Sequence, residues 1–76
     1  MTTAEIMKLG KEIIKDYTRD YICQSHYIRC RVMDKEEAKK ILISSLSTIA
    51  EMRGAKGADC EHVAYYICGY YNIDLN

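Results

Sequence analysis

The stretch DKEEAKKILISSLSTIAEMRGAKGADCEHVAYYICGYY, residues 34–71, carries two apolar stripes of helical period on either side of a pair of glycines, and this pattern decides the fold. Asp34 followed by Glu37 has the spacing of a helix start, and acidic groups at 34, 36 and 37 face the positive end of a helix dipole. At about 100° per residue, Ala38, Leu42, Leu46 and Ile49 fall in one stripe, flanked by Ile41, Ser45 and Met52 on one side and Ile43 and Ala50 on the other. A face this wide predicts packing against two neighbours. Gly54 and Gly57 stop the helix, because glycine reaches left-handed backbone geometry at little steric cost. Asp59 then opens another helix, in which Cys60, Val63, Ala64, Ile67 and Tyr71 share a stripe that frays near Asn72. The two segments together make a helical hairpin.

Upstream, Thr2 and Glu5 have the spacing of a capping box, in which each side chain satisfies the other residue's free backbone N–H. Ile6, Leu9, Ile13 and Tyr17 then form a narrow stripe opposite Lys8, Lys11, Lys15 and Arg19, which predicts an amphipathic helix through about residue 22. The expected architecture is all-α: a small three-helix domain, single over residues 1–76, whose second helix is central and pairs with the third as a hairpin. Ile28, Cys30 and Val32 alternate with Arg29 and Arg31, so a short extended segment around residues 27–32 is the alternative there, with the tail 72–75 as its only strand partner.

A chain of 76 residues buries only roughly 60% of the surface it exposes when unfolded. Apolar burial and conformational entropy therefore nearly cancel, which favours association, and a homodimer or a tightly bound subunit is expected. Hydrophobic residues at 49% and charged residues at 29% exclude the disordered and low-complexity classes. Eleven Lys and Arg balance eleven Asp and Glu, removing the global basic field on which most nucleic-acid binders rely. No apolar run suggests a membrane span and no signal-peptide pattern opens the chain, so a soluble cytoplasmic protein with four reduced cysteines is expected.

Four constellations could carry function. Cys23, His26 and Cys30 would share one helix face, and with Cys60 or His62 as a fourth ligand they could hold a structural zinc that staples the small core. Packed thiols are the plainer account of the same cysteines. Cys60, Glu61 and His62 offer the residue types of a nucleophilic site, but neighbours on a helix point apart, so no enzyme is expected. No other cofactor is implied.

Gly54-Ala55-Lys56-Gly57 resembles the GxxG loop of KH domains, which clamps a nucleic-acid backbone between helices. The resemblance covers four residues and implies phosphate contact at this turn. The long helix before it, the acidic helix after it and the lack of a three-stranded sheet depart from that family. With Arg29, Arg31, Arg53 and Lys56 as a small basic edge, a nucleic-acid-binding module is the second expectation.

The leading expectation rests on tyrosine. Residues 58–76 hold four of the seven tyrosines, three acidic groups and no basic one. His62, Tyr65, Tyr66, Gly69 and Tyr70 are placed on the outward face of the last helix, where stiff amphipathic rings beside a glycine suit a protein interface. A non-enzymatic regulator, adaptor or inhibitor is expected, occluding or bridging a larger partner through this acidic, Tyr-rich helix. Its acidity points to a basic target surface, such as the nucleic-acid face of a DNA- or RNA-processing protein.

Overall fold

The capping box forms as its spacing requires: the Glu5 N–H donates to Thr2 Oγ1 at 3.2 Å and the Thr2 N–H donates to Glu5 Oε1 at 3.0 Å. In the computed structural model, which describes residues 1–73, it opens α1 (Thr3–Asp16), followed by α2 (Arg19–Val32), α3 (Lys35–Met52) and α4 (Ala58–Tyr70). The fold is all-α, with no strand among the described residues.

There are four helices where three were expected, because the first breaks at Tyr17–Thr18. Tyr17 is extended (φ −117°, ψ 119°), and Thr18 Oγ1 accepts the Tyr21 N–H at 3.2 Å, giving α2 an N-cap of its own. Asp20 in the first turn of α2 and Arg29 and Arg31 in its last complement the helix dipole. The extended alternative for residues 27–32 is thereby corrected: the whole segment is helical. Its alternation did not mark a half-buried strand, since Ile28 and Val32 are 59% and 75% exposed, while Ile22 and His26 are the buried residues of α2. Of the tail 72–75, Asn72 and Ile73 end α4 and the remainder lies outside the described residues.

Asp34 stands at the N-cap of α3, although its side chain makes no capping hydrogen bond. Both hairpin helices close with the same paired bonds. Gly54 (φ +107°) donates to Glu51 O and Ala55 to Ala50 O; Asn72 (φ +55°) donates to Gly69 O and Ile73 to Cys68 O. This is the Schellman arrangement, with a left-handed residue just past the helix and an apolar residue following it onto the core. Ala55 is buried and Ile73 packs against the core cluster accordingly.

The core draws Leu9 and Ile13 from α1, Ile22 from α2, Leu42, Leu46 and Ala50 from α3, and Cys60, Val63, Ala64 and Ile67 from α4. Nearly all lie on the stripes that helical periodicity marks. Helix α3 is central: it packs most extensively on α4 and also meets α1 and α2. Helix α1 lies along α4 in the same sense. The Met1 amine meets Asp59 at 3.0 Å, Gly10 faces Tyr66, and the Tyr71 hydroxyl donates to Tyr17 O at 3.5 Å.

Gly10 is buried, and a Cβ there would fall 2.8 Å from Tyr66 Cε1 and closer still to Cδ1. The ring is stiff, so helix or ring would have to move. Gly10→Ala is expected to lower stability by about 1–3 kcal/mol, although alanine in an open helix position gains up to about 1 kcal/mol. Thermal denaturation should show the reduced Tm, and adding Tyr66→Leu should recover part of it. An unchanged Tm for Gly10→Ala would mean that α1 does not seat against this ring.

Candidate functional site

Adjacent residues on a helix diverge by about 100°, and Tyr65 and Tyr66 do so. Tyr66 was expected outward; instead it is half-buried, packs on the core cluster and covers Gly10. The reason is the missing side chain at Gly10, which lets α1 come close enough to take the ring. The outward face of α4 therefore consists of Glu61, His62, Tyr65, Gly69 and Tyr70, all exposed. Tyr65 and Tyr70 are 46% and 57% exposed, and a Cβ on Gly69 would meet nothing within 4 Å. The Tyr70 ring is braced by Tyr71, edge-on at 5.3 Å and 81°. Burial pushes the Tyr71 hydroxyl above its ordinary pKa, with Tyr70 and Cys23 adding to the rise and Arg19 opposing it.

The charge of this face is set by its neighbours. Asp59 is engaged by the Met1 amine and its other oxygen lies 3.9 Å from His62 Nδ1. Tyr70 shares a groove of about 450 Å³ with Lys8, Lys11, Lys15, Glu12 and Ile14 of α1. Tyr65 shares one of about 380 Å³ with Lys39, Lys40, Glu51, Glu61 and the hydroxyl-rich face of α3. Helix α4 thus has three lysines and Glu12 of α1 on one border, and Lys39, Lys40 and Glu51 of α3 with its own Glu61 on the other. Helical periodicity placed Lys8, Lys11 and Lys15 on one face of α1; that this face borders α4 is a tertiary fact.

The basic edge expected for nucleic acid does not assemble. Arg29 lines a narrow cleft between α2 and α3, Arg31 lies over the Tyr27 ring at 5.0 Å, and Arg53 pairs with Asp16. Lys56 is exposed on the turn. Arg29 and Arg31 precede α3 and Arg53 and Lys56 follow it, and an 18-residue helix separates its ends by about 27 Å.

Cys23, His26 and Cys30 do lie on one helix, and His26 Nε2 is 3.6 Å from Cys30 Sγ. Among the described residues, no group of three or more His, Cys, Asp or Glu side chains is arranged to hold a metal. Neither proposed fourth ligand is in place. Cys60 is buried at the start of α4, two turns before the Cys68 that feels Cys23, and His62 is exposed. Buried Cys60 and exposed His62 also point apart, as the nucleophilic arrangement could not tolerate.

No helix among the described residues is long and apolar enough to cross a membrane. A scan against protein-family models and searches of curated proteins and of solved structures find no match to this chain.

Burial pushes the Cys68 thiol up to about 11, with the nearby Cys23 adding to the rise. An unfolded chain ionises this group near 9.0, so the native state should lose stability as pH rises from about 9 to 11, the unfolded state releasing its proton first. At pH 8 a thiol reagent should label the partly exposed Cys23 and Cys30 before Cys60 and Cys68, which peptide mass spectrometry would read. Equal labelling of all four would contradict this packing.

Proposed function

We propose that this protein is a non-enzymatic binding module, a regulator, adaptor or inhibitor that occludes or bridges a larger protein through the outward face of α4. Tyr70 carries the proposal: an aromatic ring 57% exposed, held by Tyr71 and set beside the open backbone of Gly69. A ring already fixed loses little side-chain freedom on docking, and a glycine beside it admits close approach of a partner backbone. His62 and Tyr65 extend the same face. The lysines of α1 beside Tyr70 favour acidic groups on the part of the partner that meets this ring. Four thiols suit a reducing, cytoplasmic setting. The homodimer expected from the small core is the competing use of this face.

Two substitutions separate binding from folding. Tyr70→Ala is expected to leave Tm within about 0.5 kcal/mol-equivalent of the parent and to weaken capture of a specific partner from native-host extract by about 30-fold, the scale of an interface hot spot. Gly69→Ala should raise stability by roughly 0.5–1 kcal/mol, since the methyl meets open space, yet weaken the same capture. Quantitative mass spectrometry of the captured proteins checks both, and capture that ignores both changes would end the proposal. Sedimentation at several concentrations tests the rival use: a dimer abolished by Tyr70→Ala would assign the face to a second copy instead.

A further inference from the structure

A cleft of about 410 Å³ lies between α2, the first turns of α3 and the end of α4, apart from the outward face of α4. This size falls in the range of small-molecule sites. Arg19, Lys35 and Lys39 line it, and among the described residues no acidic side chain does. None of the three cations has a carboxylate within ion-pair distance among the described residues. Like charges gathered without a counter-charge repel one another, and an anion between them relieves that repulsion.

The remaining wall is largely aromatic and braced. Tyr27 has the Arg31 guanidinium over its ring at 5.0 Å, and the Tyr71 hydroxyl is tied to Tyr17 O at 3.5 Å. His26 also lines the cleft. It is nine-tenths buried, its Nε2 is 3.6 Å from Cys30 Sγ, and its Nδ1 has no hydrogen-bond partner. Lys35 and Lys39, one turn apart on α3, thus share one cleft with Tyr27, Tyr71 and His26, and Arg19 lines its other end, at the start of α2.

We propose that this cleft binds a small organic anion, with its phosphate or carboxylate held by Lys35 and Lys39 and its apolar body running along Tyr27 and Tyr71 toward Arg19. The cations supply charge-assisted hydrogen bonds that fix the headgroup, and the rings reward a body that inorganic ions lack. The helix break at Tyr17–Thr18 puts Arg19 in the first turn of α2, at the end of the cleft away from Lys35.

Titration of the isotope-labelled full chain with phenyl phosphate, inorganic phosphate and phenol, followed by NMR, tests the assignment. Phenyl phosphate should give saturable shifts at the Tyr27, Lys35 and Lys39 amides and at the His26 imidazole. It should bind about tenfold or more tighter than either inorganic phosphate or phenol, each of which lacks one half of the recognition. Lys35→Gln with Lys39→Gln should weaken it by about tenfold or more, the scale of losing two charge-assisted bonds. Lys39→Gln alone provides a second test should the pair disturb the start of α3. Absence of saturable shifts, shifts centred on Lys8, Lys11 and Lys15, equal affinity for inorganic phosphate, or unchanged affinity in a folded variant would each overturn the proposal.

Discussion

The close approach of α1 to α4, where the Tyr66 ring lies on the bare backbone of Gly10, is the constraint from which the rest of the surface follows. A side chain at Gly10 would collide with the Tyr66 ring, so helix or ring would have to shift. With glycine there, one tyrosine is spent on the core and two, Tyr65 and Tyr70, remain outside. The same approach carries the lysine row of α1 to the border of α4. It also brings Tyr17 within reach of Tyr71, which in turn braces Tyr70. One missing methyl thus governs both the shape of the candidate interface and the charge around it.

Helix α2 is the other organising element, and it belongs least to the core. It packs mainly on α3 and buries only Ile22 and His26. It therefore stands as a wall: its inner side lines the cationic cleft, while Tyr21, Ile28 and Val32 form an exposed stripe on its outer side. The narrow burial of α2 explains why its sequence carries so weak a helical pattern. A helix that hides two residues in four turns has little need of an apolar stripe, and its caps do the work of defining it.

What could be read along the chain was what neighbours in sequence decide. The Thr2–Glu5 box, the stop at Gly54, and the stripes of α3 and α4 rest on contacts within one helix or one turn, and all are present. Thr18 was legible in the same way, as an N-cap residue followed by Asp20, but the apolar stripe through Tyr17 and Tyr21 masked it. The alternation of Ile28, Cys30 and Val32 misled for a related reason. Period two implies a strand only when one face is buried, and here the apolar members are largely exposed. Nothing local marked Arg19, Lys35 and Lys39 as lining one cleft, since Arg19 opens α2 and the two lysines open α3.

By itself, the sequence determined that this chain is helical, where the hairpin turns, and which stripe of each long helix faces inward. Those properties follow from backbone sterics and from a 3.6-residue period, and neither depends on which helix comes to lie beside which. Only the tertiary structure decided which tyrosines stay outside, that the lysines of α1 border α4, and that three cations share a cleft with His26. Surface chemistry is a sum over several elements, and its composition is fixed only when packing has chosen the neighbours.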